Sequence, residues 1–384
     1  MVINKIRASL RKDLEAPAAD RRFGSGWISG VISLVLSVAA LLGGLCVLSP
    51  GLFTVSEARA LYTYIPYRLL LQGSLAVSFV FAILSLTLRK GKVLGSVSLA
   101  TTLIGFVLFQ IGETTASDLQ SPLYLGLDWF ILNILFTGLL FIPIERLYPK
   151  TREQGIFRVE WREDLFYYLV SSLFVQGFTY LSLFPSLAIV RSTDWGTLRH
   201  AIGSQPMLIQ IIEIMFLTDF VQYWVHRAFH RIPFLWNFHA VHHSAQAMDW
   251  MAGARMHLIE IIVLRGLTVI PMQILGFSAT AVQSYILIVY IYSTFLHANF
   301  RWSPRFLSGV LATPRFHHWH HGIEREAIDV NFSIHFPLFD RAFGTYYMPG
   351  DKWPSGYGIQ DHPVPAGYVR QLLYPLQRKR GIKS

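Results

Sequence analysis

The stretch from His226 to His243, HRAFHRIPFLWNFHAVHH, decides how the chain is read, and HHWHH at 317 to 321 answers it. His226 and His230 are four residues apart, while His239, His242 and His243 stand at i, i+3 and i+4. His317, His320 and His321 repeat the second pattern. On a helix those offsets place side chains on one face, so each set is expected to aim its imidazoles at one point. Imidazole nitrogen suits iron, zinc and copper. Eight such groups exceed what one ion accepts, so the arrangement asks for two metals. A single histidine in an apolar sequence is ordinarily a hydrogen-bonded core residue, but three sets at helical offsets among 14 histidines are not a chance placement.

Around that stretch the chain is strongly apolar. Of its 384 residues 53% are hydrophobic and 15% charged, with a mean hydropathy of +0.41, the composition of a membrane protein. The net charge of +10 sits in short Lys and Arg clusters beside apolar runs, which marks cytoplasmic flanks and argues against a nucleic-acid surface. The single cysteine, Cys46, permits no intrachain disulfide and no cysteine-ligated iron-sulfur cluster. Apolar runs at 27–48, 69–88, 93–111, 127–147, 165–190, 207–225, 258–277 and 281–296 predict an all-α, polytopic bundle of about eight spans. With the first end placed inside, the basic clusters at Arg89, Lys90 and Lys92 and at Lys150 and Arg152 also fall inside. Both histidine stretches, together with both termini, then share the cytoplasmic face as a histidine-rich helical cap. The polar segment 151–164 separates an N-terminal four-span region, 1–150, from a catalytic region, 151–350. A basic cytoplasmic tail, 351–384, follows.

His297, in HANF, ends the last apolar run at the same interface and is read as a ninth ligand. His257, in RMHLIE, and Glu260 one turn later form a further pair, the histidine as a ligand or as support. His318 points about 100° away from His317 on a helix and is left out, as are His335 and His362. Metal-bound imidazoles donate their other ring N–H to a carboxylate or carbonyl. Asp219, two turns before His226 on one helical face, is a candidate for that role, as are Asp329, Asn331 and Asp249. The alternative for each is a cap or surface residue, with ring support the favoured reading for Asp219.

DFVQYWVHRAFH at 219 to 230, HAVHH at 239 to 243, HANF at 297 to 300, PRFHHWHH at 314 to 321 and FDRAFGTYY at 339 to 347 occur in that order. Over residues 161–347 the sequence therefore resembles the fatty acid hydroxylase and sterol desaturase superfamily of membrane di-iron oxygenases. The resemblance implies two irons held by His226, His230, His239, His242, His243, His297, His317, His320 and His321, with no catalytic side chain beyond the metal centre. It also implies O2-dependent hydroxylation or desaturation of a C–H bond in a lipid such as a fatty acyl chain or sterol. Some members carry a histidine four residues before the position of His297, where this chain has Ser293. The four spans before residue 151 lie outside the resemblance.

Trp224, Phe229, Trp236, Phe238 and Trp319 are candidates to line a lipid slot, and equally an interfacial aromatic belt. The chain has no haem-attachment motif, no iron-sulfur cysteines and no dinucleotide fingerprint, and HPVP at 362 to 365 is not a haem-binding HPGG. Electrons are expected from a separate partner or a diffusible reductant. A membrane zinc hydrolase is the main alternative, but catalytic zinc takes about three protein ligands and an open position, and HExxH is absent. A metal transporter or store would carry charges inside its spans.

Overall fold

A computed structural model describes residues 2–61, 64–111, 123–192, 195–304, 306–361 and 363–377. Among these the secondary structure is helical, with no strands beyond the isolated bridges Pro149 to Phe300 and Gly322 to Tyr357. The longer helices are α1 (Val2–Leu14), α2 (Trp27–Leu48), α3 (Tyr67–Leu88), α4 (Val93–Ile111), α5 (Leu127–Leu147), α6 (Trp161–Leu173) and α7 (Val175–Arg191). They continue as α8 (Met207–Arg231), α9 (Pro233–His243), α10 (Leu258–Leu275), α11 (Ala279–His297), α12 (Pro314–His320) and α13 (Tyr368–Gln377). Among the described residues six helices, α2, α3, α5, α8, α10 and α11, are each long and apolar enough to cross a membrane. The chain is an integral membrane protein.

One of the expected spans differs from the reading of the sequence, while the run expected at 93–111 is the helix α4. The run at 165–190 is not one straight helix but the pair α6 and α7, bent by 64°. At that break the Leu173 carbonyl accepts from Gly126 N at 3.1 Å and the Gln176 side chain accepts from Tyr124 N at 3.1 Å. A distant segment thus satisfies polar groups that an unbroken helix would satisfy itself, and no local sequence signal announces it.

The chain divides into two compact units, the boundary falling within α5. In the first, residues 1–136 with 153–158 and 172–176, α2, α3 and α4 close on small hydroxyl residues. Ser33 donates to the Ser78 carbonyl at 2.8 Å and Ser78 meets Thr102 at 2.8 Å, interhelical bonds suited to a lipid surround. The second unit, 137–152, 159–171 and 177–384, holds every histidine of the motifs. Here the Glu145 carboxylate accepts from Trp250 N at 2.8 Å and from Asn299 N at 2.9 Å. It thereby braces the segments that follow α9 and α11.

The segment expected to be a basic tail packs back onto this unit through residue 377, and residues 378–384 lie outside the described ones. Ile359, Val364 and Tyr374 join Tyr167, Ala240 and Val241 in one buried cluster. Burying these apolar side chains, each worth about 1.5–3 kcal/mol when fully removed from water, outweighs the solubility of the intervening charges.

Candidate metal centre

Helix geometry delivers the imidazoles. α8 ends with His226 and His230 on one face, α9 carries His239, His242 and His243, α11 ends on His297, and α12 with its C-cap carries His317, His320 and His321. α9 starts with Pro233 at its first turn, where the missing N–H is harmless. α12 starts the same way at Pro314, with Thr313 capping Phe316 N at 3.4 Å.

The nine rings form two groups, His226, His230, His239, His243 and His320 in one and His242, His297, His317 and His321 in the other. Within each, the candidate donor atoms lie within 4.8 Å of one another. This corrects the expectation that each set aims at a single point. On α9 the i and i+4 rings serve the first group and the i+3 ring crosses to the second; on α12 the assignment is reversed. The reason is angular. At about 100° per residue, i+3 and i+4 diverge to opposite sides of i, so one helix wedged between two sites feeds both. His243 and His321 stack across the divide, ring centroids 4.4 Å apart.

The chemistry follows from where the ring protons sit. His226 Nδ1 faces the Phe332 carbonyl at 2.8 Å and His239 Nδ1 faces the Glu260 carboxylate at 2.6 Å. Both partners only accept, so both Nδ1 atoms carry the proton and both Nε2 atoms are bare lone pairs. Yet those two Nε2 atoms are 3.0 Å apart. In the second group His242 Nδ1 donates to the Arg255 carbonyl at 3.0 Å and His297 Nδ1 to the Ser293 carbonyl at 2.7 Å, leaving their Nε2 atoms 3.3 Å apart. Facing lone pairs repel unless a cation lies between them. Nitrogens about 2.0–2.1 Å from one ion stand roughly 3.0–3.4 Å from each other, the spacing seen here. The buried Nε2 atoms of His230 and His320 also have no hydrogen-bond partner. These residues fit a pair of bound metals.

Burial holds His239, His242, His243, His317, His320 and His321 well below the ordinary imidazole range, neighbouring rings adding to the effect. They are therefore neutral, the ligating form.

Of the supporting residues, Glu260 and Asp329 meet a ring, Asp329 lying 3.3 Å from His230 Nδ1. Asp219 does not: its carboxylate accepts from Ile334 N at 2.8 Å and Phe336 N at 2.7 Å. Seven residues of helix separate it from His226 by about 10 Å, so a shared face does not bring contact. Asn331 likewise bonds backbone, and Asp249 caps Met251 N and Ala252 N. His257 joins neither group; it caps α10 through Ile259 N and faces the Leu372 carbonyl. His318 faces Tyr357 and the Ala298 carbonyl, and His335 faces Tyr285; His362 lies outside the described residues. Among the aromatic candidates, Trp236 flanks His230 and His243 and Phe229 flanks His239. Trp224 packs on Phe343, Phe238 on His257, and Trp319 on Tyr347.

Sequence reasoning passed over Glu145, Asp164, Arg255 and Gly253. A Cβ on Gly253 would meet His297 Nδ1 at 3.0 Å. A carboxylate in the apolar run of α5 was the available signal for Glu145.

Residues 211–345 match the fatty acid hydroxylase family model, and all nine histidines lie inside the match. Over this region, about a third of the chain, the sequence is similar to the fatty acid hydroxylase family. Among the relatives, an ornithine lipid hydroxylase of Rhizobium tropici is 26% identical over 254 residues, 65% of this chain and 76% of that protein. A putative methylsterol monooxygenase of Dictyostelium discoideum is 28% identical over 224 residues, 57% of this chain and 78% of its own. The human alkylglycerol monooxygenase is 26% identical over 147 residues, 38% of this chain and 32% of its own. No solved structure matches. These relatives, hydroxylases and monooxygenases by name, support an oxidoreductase.

Glu260 offers a direct test of how the site holds its rings. Glu260→Gln keeps the shape but removes the charge that polarises the His239 imidazole. Metal affinity measured by chelator competition should fall about 10–100-fold; unchanged affinity would show that the carboxylate only fills space.

Proposed function

We propose that the chain is a membrane di-iron oxygenase that uses O2 to hydroxylate or desaturate a C–H bond of a lipid. The observation that carries the reading is the pair of adjacent imidazole groups whose bare Nε2 atoms converge within each group. Iron bound there supplies the reduction of dioxygen needed to attack an unactivated C–H bond. The chain's own residues do the rest. Carbonyls of Arg255, Ser293, Val330 and Phe332 and the carboxylates of Glu260 and Asp329 hold ring protons outward. Phe229 and Trp236 shield the rings.

His226, His230 and His297 lie at or near the ends of spanning helices, which supports a site that an acyl chain or sterol reaches from the bilayer. The relatives' names, an ornithine lipid hydroxylase, a methylsterol monooxygenase and an alkylglycerol monooxygenase, support a lipid substrate. The basic flanks support a cytoplasmic site, and a separate donor or diffusible reductant supplies the electrons. Residues 151–350 would carry catalysis, with 137–150 as its brace.

Two measurements test the proposal together. Anaerobically purified protein should contain iron near two per chain; zinc near one would indicate a hydrolase. Lipid profiles of cells with and without the gene should differ by a species heavier by one oxygen or lighter by two hydrogens. Identical profiles under expression of the iron-loaded protein would overturn the reading.

A further inference from the structure

The two imidazole groups are supported in different ways. In the first, three of five rings take their Nδ1 partner from one short segment: His230 from the Asp329 carboxylate at 3.3 Å, His320 from the Val330 carbonyl at 2.7 Å and His226 from the Phe332 carbonyl at 2.8 Å. In the second group, His242 and His297 lean on carbonyls elsewhere, and the buried Nδ1 atoms of His317 and His321 have no partner.

That segment is a tightly built strap. Asp329 and Asn331 both adopt the left-handed conformation, φ 61° and 56°, which Asn and Asp tolerate far better than most residues. Asn331 is fully buried and uses its whole amide, donating to the carbonyls of Phe316 at 3.0 Å and Tyr347 at 2.8 Å while its oxygen accepts from Tyr347 N at 2.8 Å. Its own N–H bonds the Thr345 carbonyl at 2.9 Å. Beyond it, the Asp340 carboxylate takes Phe332 N at 2.7 Å and Ser333 N at 3.0 Å. Asp219 takes Ile334 N and Phe336 N. The carbonyls of Val330 and Phe332 are thus fixed from both sides.

We propose that residues 329–332 form a dedicated positioning strap for the first metal position, with Asn331 its clamp, so that the two positions differ in affinity and the strap controls only one. This rests on the metal reading above. A ring whose Nδ1 partner is fixed loses less freedom on ligation, and losing such a partner costs about 10–100-fold in affinity. The first position therefore holds metal more tightly. Asn331 and Asp329 are positioning residues; neither side chain is proposed to touch metal or substrate.

Cobalt(II) is the probe, added to metal-free full-length protein in detergent and followed by metal content per chain and by visible absorption. Wild type should take up two equivalents in two resolved steps. Asn331→Gly keeps the backbone conformation and removes the clamp; Asp329→Asn keeps both conformation and size and does not touch Phe316. In each variant the tighter step should weaken about 10–100-fold; in Asp329→Asn the weaker step and its spectrum stay as in wild type, whereas in Asn331→Gly, which also frees the Phe316 carbonyl beside His317, the tighter step weakens more than the weaker one. Equal binding in both steps in wild type, equal weakening of both steps in the variants, or no change in either variant would overturn the strap. Wild type that binds no cobalt would overturn the metal reading with it, so the two failures are distinct. If Asn331→Gly fails to fold, Asp329→Asn carries the test alone.

Discussion

Replacing His242 by alanine is expected to empty the second metal position and end turnover. His242 Nε2 faces His297 Nε2 at 3.3 Å, and its Nδ1 is held by the Arg255 carbonyl, so the substitution removes one of the four nitrogens that the described residues bring to that group. The loss in affinity should exceed the roughly 10–100-fold that follows loss of a ligand's partner. Metal per chain should fall by about one, because the first group keeps all five rings. Membrane insertion should be unaffected, since the substitution lies in α9, outside the spanning helices. Full activity with two metals would remove His242 from the ligand set.

The second large effect is one of stability. Arg255 is completely buried, with its Nε 2.6 Å from the Asp164 carboxylate, itself fully buried, and a terminal nitrogen 3.1 Å from Glu160. Asp164→Asn leaves a guanidinium in the interior with half its countercharge. Breaking a buried pair from one side costs about 3–5 kcal/mol. In a unit of this size that corresponds to a fall in Tm on the order of 10 °C, measurable by thermal unfolding of the purified, metal-free protein. The same substitution should lower metal retention at the second position, because the Arg255 backbone carbonyl orients His242. A Tm within 1–2 °C of wild type, roughly the shift from 0.5 kcal/mol, would show that Glu160 and Ser244 suffice.

What could be read from the sequence follows a physical line. Hydropathy and helical offset are local properties, and they located the spanning helices and the nine histidines that the structure gathers. Features made by chain segments far apart were invisible. The Asp164 to Arg255 pair joins residues 91 apart in the chain, and Glu145 reaches Asn299 across 154. The bend between α6 and α7 depends on residues 124–126. Asp219 shows the converse limit. Its position on the face of His226 was correctly inferred, but a shared helical face is a direction and not a distance, and its carboxylate serves the backbone of 334–336 instead. The crossing of His242 and His320 to opposite groups was present in the 3.6-residue period, yet it becomes visible only once a second helix fixes where each site lies.

The reciprocal sharing of α9 and α12 bears on how the protein is made. Each of these helices donates to both groups, so neither group exists as a separable cassette. Neither can be completed before residues 320 and 321 of the 384-residue chain have been synthesised and docked. The earlier helices can enter the bilayer one by one during translation, but neither group has all its rings until α12 has docked. A truncated or stalled product ending before α12 would insert and yet hold no complete site.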